Sequence, residues 1–248
     1  MLNGAQHDSR LEPTEWSHGM YVEPYSERCR GIWHRGEHAL IGVSAGNSYF
    51  SQDRLARLLA WADKGFAQVD LVYVDTHIDT MLIADGHSPA AAAKSARGTL
   101  KDLRRRIRRA VEGAAVAPGR LRVRALTELL DEPRYRSVRA RTDQALREEP
   151  EFAAVVDQMV GEVIRHRIGG ERPATASRLE AGREYVAAEA PLFMDAPAVF
   201  GVPSSVTCYH MPTPLQRYLV RPDSAVRAAA GHAHLVVRPP EPVRAAAS

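Results

Sequence analysis

Cysteine is nearly absent from this chain. Its 248 residues include two, Cys29 and Cys208, far apart in sequence. Two thiols with no zinc-ligand spacing exclude a disulfide framework and a thiolate metal centre, and they fit a reducing compartment. Long apolar runs are also missing, none approaching the roughly 18–20 residues of a membrane span. The opening stretch MLNGAQHDSRLEPTEWSHG is polar and mixed in charge, without the apolar centre of a secretory signal. A cytoplasmic protein with no membrane partner is expected. G-x-x-x-x-G-K-[ST], a strand followed by G-x-G-x-x-G, and H-E-x-x-H are all lacking. His34 and His38 read as ordinary surface histidines, since His38 opens a strand and a metal pair at that spacing needs a helix. No cofactor and no metal are expected.

What remains is ordinary in amount. Hydrophobic content of 45% and charged content of 25% describe a globular chain long enough for one large α/β domain or two small ones. Residues 1–20 and the Pro- and Ala-rich end at 238–248 are expected to be poorly ordered, leaving 21–237 as a single domain. Residues 21–37 show no assignable pattern. His38–Val43 then reads as a strand, and Ser51 caps a helix to about Lys64 with Leu55, Leu58, Leu59 and Ala62 on one face. Val69–Val74 follows as a second buried strand, completing a right-handed βαβ unit. Ser88-Pro89 opens a long helix to about Gly113, and Leu121–Leu126 is a third strand. Glu132–Arg167 reads as helix broken at Pro150, and Ser177–Ala190 as helix. Ala198–Gly201 and Ser205–Tyr209 read as short strands. Alternating strands and helices predict an open, mostly parallel, doubly wound sheet whose ligands bind beyond the strands' carboxyl ends.

The long helix carries an unusual charge pattern. Between Lys94 and Arg109 stand eight cations and one acid, Asp102. At about 100° per residue, Lys94, Arg97, Lys101, Arg104, Arg105, Arg108 and Arg109 share an arc of roughly 140°, and only Arg106 falls outside it. Ala92, Ala96, Leu100, Leu103, Ile107 and Ala110 form the opposite, core-facing side. Solvated helix faces usually mix signs at i,i+4, whereas this one repels itself unless a polyanion neutralises it. Nucleic-acid phosphate fits that requirement, and the lack of aromatics on the apolar side argues against membrane insertion.

Gly42-Val43-Ser44-Ala45-Gly46 matches the G-x-S-x-G nucleophile elbow, so an esterase-like α/β-hydrolase is one reading. Against it, the elbow follows the first convincing strand and no HGG-type oxyanion segment precedes it. Later, Tyr185 and Glu189 project from one helix face at i,i+4, and Tyr209-His210 ends a strand.

In order and spacing, these features resemble the cyclodipeptide synthases from about His38 to Leu219: a strand ending in G-V-S-x-x-N-S-Y-F, a basic helix after the second strand, Tyr-x-x-x-Glu and a late Tyr-His. Asn47 with Tyr209-His210 is similar to the subgroup named for Asn, Tyr and His. The resemblance implies a Rossmann-like fold similar to the catalytic domain of class I tyrosyl- and tryptophanyl-tRNA synthetases. It also implies a monomer joining the residues of two aminoacyl-tRNAs into a 2,5-diketopiperazine. The H-I-G-H and K-M-S-K-S types of signature are absent, in keeping with an ester already activated and needing no ATP. By position, the resemblance makes Ser44 the acceptor of the first aminoacyl group and has Tyr185 and Glu189 hold its amine. Asn47 and Tyr209 position the aminoacyl moiety, Tyr209 relays a proton, His210 supports them, and Tyr135 matches an active-site tyrosine. The second substrate's amine attacks the ester, and a dipeptidyl-enzyme then cyclises to free Ser44. Leu40, Gly42, Val72, Val74, Leu126, Leu192 and Thr207 match first-pocket positions, implying an apolar or aromatic first residue. The seven aligned cations would hold the first tRNA. A non-catalytic RNA-binding protein is the third reading. The base that activates Ser44 is not assigned.

Overall fold

The computed structural model describes residues 14–168 and 175–240. In chain order its elements are β1 (Glu15–Ser17), β2 (Met20–Pro24), α1 (Glu27–Trp33), β3 (His38–Val43), α2 (Gln52–Gly65), β4 (Gln68–Tyr73), α3 (Ile78–Ala84), α4 (Pro89–Ala114) and β5 (Leu121–Ala125). There follow α5 (Thr127–Leu130), α6 (Pro133–Glu148), α7 (Pro150–Ile168), α8 (Ala176–Met194), α9 (Ala196–Phe200), β6 (Ser205–Tyr209), α10 (Pro214–Val220) and β7 (His232–Arg238). Local chemistry starts the major helices. Ser51, Ser88, Thr175 and Thr213 each accept the backbone N–H three residues on, capping α2, α4, α8 and α10.

The strands form one sheet in the order β1-β2-β7-β6-β3-β4-β5. Pairing from β7 across to β5 is parallel, while β1 and β2 add antiparallel strands at one edge. Among the parallel strands the chain starts at β3, winds out through β4 and β5, then returns to the other side for β6 and β7. The gap between β3 and β6 is therefore the topological switch point, where such sheets bind ligands.

Alternation along the strands divides the core in two. Ala39, Ile41, Val43, Val69 and Leu71 pack with α1, α2 and α4. Leu40, Val72 and Val74 face the other way, into a core built with α6 to α10. The doubly wound α/β expectation holds.

Several expectations change. Residues 21–37 form β2 and α1, the latter capped by Ser26, which accepts from Cys29 N. Glu15–Ser17, placed in a poorly ordered segment, forms an edge strand on β2, and β7 carries the ordered chain through Arg238. The expectations for residues 1–13 and 241–248 lie outside the described residues. Ala198–Gly201 is not a strand: the Asp195 carboxylate accepts from Ala198 N and Pro197 occupies the first turn, so Ala196–Phe200 is helical. Helix start chemistry outweighs the apolar run there.

His38 is not a surface histidine. It is sealed between strands, with Nδ1 2.7 Å from Ser205 Oγ and Nε2 2.9 Å from Asp70 Oδ2. Arg122 Nε donates to Asp70 Oδ1 at 3.0 Å. Burial pushes the Asp70 carboxyl up, but the bonds from His38 and Arg122 outweigh it and hold the carboxyl below its ordinary value. Although it contains Ser, His and Asp, this cluster sits toward the amino ends of the parallel strands, opposite Ser44.

Candidate active site

The turn after β3 follows from its small residues. Asn47 N donates to Ser44 O at 3.3 Å, and Gly46 between them has φ +79°, a conformation that costs glycine little. Asn47 Oδ1 accepts from Tyr49 N at 2.9 Å, which fixes the amide so that Nδ2 donates to Tyr209 Oη at 3.3 Å. Ser44 also hydrogen-bonds the Tyr209 phenol. Two strand ends, β3 and β6, thus meet through Ser44, Asn47 and Tyr209 at the switch point. Burial and the Glu189 charge push the Tyr209 phenol up to about 12, against the bonds from Ser44 and Asn47. It therefore keeps its proton at neutral pH.

Glu189 comes from α8, a helix buried on nearly every side along its second half. Tyr185, one turn earlier, donates from its Oη to Glu189 Oε1 at 3.3 Å. Burial raises the Glu189 carboxyl to about 7, and the Tyr185 bond only partly opposes this. A carboxyl poised there can take up or release a proton under physiological conditions.

These groups share one cavity of about 670 Å³, lined by Ser44, Asn47, Tyr185, Glu189, Tyr209 and His210 among others. Its floor is sheet. Leu40 pairs with Thr207 and Gly42 with Val72 across adjacent strands, and Val74 and Leu192 extend the same apolar patch. Nothing lies within 4 Å of where a Cβ on Gly42 would stand, so that glycine leaves the floor open. Leu126 and Tyr135 do not line the cavity. Leu126 is fully buried in the core shared with Val72 and Val74, and Tyr135 Oη donates to Ala188 O at 2.7 Å, bracing α8 beside Glu189.

His210 stacks on Tyr49, ring centres 3.9 Å apart, and meets Phe50 edge-on at 5.5 Å. Sequence reasoning missed Tyr49 and also the α7 wall of Met159, Glu162 and Val163. Their i, i+3, i+4 spacing was readable, but nothing in sequence said which element that face would meet. Among the described residues no cluster of His, Cys, Asp or Glu could hold a metal ion. No helix among them is long and apolar enough to cross a membrane.

Helix α4 turns the opposite way. Ala92, Ala96, Leu103, Ile107 and Ala110 are buried, and all seven aligned cations are exposed. Arg104 reaches Asp75 at 3.7 Å, Arg105 reaches Asp102 at 3.0 Å, and Arg108 reaches Glu112 at 3.8 Å. Lys94, Arg97, Lys101 and Arg109 have no ion pair among the described residues. Arg106, the cation outside the arc, donates to Phe50 O at 3.1 Å and ties the helix to the loop carrying Asn47 and Tyr49.

The fold and site define a Rossmann-like α/β protein related to class I aminoacyl-tRNA synthetases. Residues 20–239 match the family model described as cyclodipeptide synthase. A cyclo(L-leucyl-L-phenylalanyl) synthase of Streptomyces noursei is 54% identical over 224 residues, covering 90% of this chain and 94% of the relative. A cyclo(L-tyrosyl-L-tyrosyl) synthase of Mycobacterium tuberculosis is 36% identical over 93% and 80% of the two chains. A solved cyclo(L-leucyl-L-phenylalanyl) synthase structure superposes with TM-score 0.86 at 53% identity, covering 90% of this chain and all (100%) of that one. A Mycobacterium tuberculosis structure, described as demonstrating that cyclodipeptide synthetases are related to type I tRNA synthetases, gives 0.84 at 35% identity over 93% and 98%. The chain belongs to the cyclodipeptide synthase family and is an enzyme of that class. The hydrolase reading falls with that match: Gly42 and Val43 end strand β3, and Gly46 serves the turn that follows.

Proposed function

We propose that the enzyme works by covalent relay through Ser44, as a member of the subgroup marked by Asn47, Tyr209 and His210. The observation that carries this is the convergence of Ser44, Asn47, Tyr209, Tyr185 and Glu189 on one cavity at the switch point. Ser44 Oγ attacks the ester carbonyl of the first aminoacyl-tRNA, and the terminal ribose oxygen of that tRNA leaves with a proton. The α-amine of the bound residue lies against Tyr185 and Glu189, whose carboxylate holds it as ammonium and takes its proton.

Atom balance then sets the direction of the second step. Attack by the second substrate's amine on the Ser44 ester would carry the dipeptide onto tRNA. A dipeptidyl-enzyme forms only when the amine on Ser44 attacks the second ester and expels the second tRNA. The new terminal amine then attacks the Ser44 ester, closing the ring and returning the serine hydroxyl, with Tyr209 relaying a proton. Each acyl transfer exchanges an ester for an ester or an amide, so ATP has no step to drive.

The open, apolar floor at Leu40, Gly42, Val72, Val74, Leu192 and Thr207 takes the first aminoacyl side chain. With a 54% identical relative that makes cyclo(L-leucyl-L-phenylalanyl), leucine and phenylalanine are the residues we assign. The unpaired cations of α4 hold tRNA phosphate, contacts that position without specifying. Expression in bacteria followed by mass spectrometry of the medium should show Leu- and Phe-containing diketopiperazines with wild type and none with Ser44→Ala. Equal output from the two would overturn the covalent route.

A further inference from the structure

Thr207 is the only hydroxyl-bearing residue among the six cavity-floor positions assigned above to the first side chain. A free hydroxyl there would invite a polar substrate, because a buried polar group seeks a partner. Its partners lie in the wall instead. Thr207 Oγ1 donates to Leu192 O at 3.3 Å and stands 2.7 Å from His232 Nε2. The ring's other nitrogen, Nδ1, is 3.3 Å from Ala196 N, a group that can only donate. Nδ1 therefore accepts, Nε2 carries the hydrogen, and His232 donates to Thr207.

The ring itself is held. His232 opens β7, is buried, and lies against the His234 ring with centres 4.6 Å apart. Burial holds the imidazole down at about 4, so it stays neutral, with one donor and one acceptor, at any working pH. Thr207 thus spends its proton on Leu192 and an acceptor site on His232, and its methyl is what it has left for the cavity.

We propose that His232 is a positioning residue for the first aminoacyl pocket: by bonding Thr207 it keeps the hydroxyl turned into the wall, so the pocket reads as hydrocarbon and favours phenylalanine over tyrosine. The idea rests on the pocket assignment made above. His232 touches no substrate and acts only through Thr207.

The test supplies purified enzyme with equal amounts of Leu-, Phe- and Tyr-charged tRNA and measures the ratio of Tyr- to Phe-containing diketopiperazines. His232→Phe keeps a ring and removes the donor, and it should raise that ratio by about fivefold, the worth of one hydrogen bond. His232→Gln, which retains an N–H, should keep the wild-type ratio. Whatever ratio Thr207→Val sets, adding His232→Phe to it should change nothing further. A wild-type ratio in His232→Phe, or an equal rise with and without Thr207→Val, would overturn the proposal. Thr207→Ser separates the two levels, since it opens the wall by one methyl. If it shifts the ratio while His232→Phe does not, the pocket stands and the positioning role falls. If neither shifts the ratio in active enzyme, the pocket assignment falls and takes the proposal with it. His232→Leu serves in place of His232→Phe should the latter not fold.

Discussion

Replacing Glu189 by Gln removes the charge of a carboxyl that folding has made costly to ionise. In the folded protein Glu189 titrates near 7 rather than at its ordinary 4.5, because burial penalises the anion more than the Tyr185 bond favours it. Between those values the folded state keeps a proton that the unfolded chain has released. Wild-type stability should therefore fall as pH rises from 4.5 to 7 and level off above. The gap of 2.5 pH units, from 7 − 4.5, corresponds to about 3 kcal/mol at about 1.4 kcal/mol per unit. Glu189→Gln, uncharged and nearly the same shape, escapes that cost. It should match wild type near pH 4.5 and exceed it by up to about 3 kcal/mol at pH 8, roughly 6–12 °C in Tm for a chain of this size. Urea unfolding of both proteins at several pH values reads the difference directly, and other titrating groups cancel in the comparison. The same variant should make no diketopiperazine, because an amide cannot take the proton of the bound amine. A Glu189→Gln protein no more stable than wild type at pH 8 would refute the burial argument, and one that is fully active would refute the proton role.

Other parts of the structure lead to four more expected outcomes. Gly42→Val fits a strand backbone but fills the open floor, so the protein should fold normally and lose products containing a large first residue, measured by mass spectrometry. Removing the four unpaired cations Lys94, Arg97, Lys101 and Arg109 should lower the slope of log affinity for tRNA against log salt by about 3, at roughly 0.7–0.9 per phosphate contact. Arg106→Met should leave that slope unchanged yet slow product formation by about tenfold or more, because it frees the loop that positions Asn47. Asp70→Ala strips the buried partner from His38 and Arg122 and should destabilise by about 3–5 kcal/mol in urea unfolding.

Much of the architecture was already legible in local patterns. The apolar alternation of β3 and β4, the Ser caps of α2 and α4, and the arc of seven cations are properties of neighbouring residues, so periodicity and capping rules reach them. Ser44, Asn47, Tyr185, Glu189, Tyr209 and His210 were singled out by type and order, and all six line one cavity. Local reasoning failed in two ways. At Ala198 it put the apolar run ahead of a helix start close by, the Asp195 cap and Pro197, and at His38 a distant partner decided the outcome. His38 looked like a strand-opening surface residue because Asp70 and Ser205, which make its burial tolerable, lie 32 and 167 residues away.

Residue order is enough to specify an α/β chain with a cationic helix, a serine at a strand end and a set of acid, phenol and amide groups in a family's order. The chemical character of those groups comes from folding. Crossing from β5 back to β6 opens the switch point and brings Tyr209 to Ser44. Burial of α8 moves Glu189 to about 7, since desolvation depends on every element packed around a group. The return of β7 sets His232 against Thr207. Charge, burial and hydrogen-bond partner are properties of position in space, and chain order alone does not contain them.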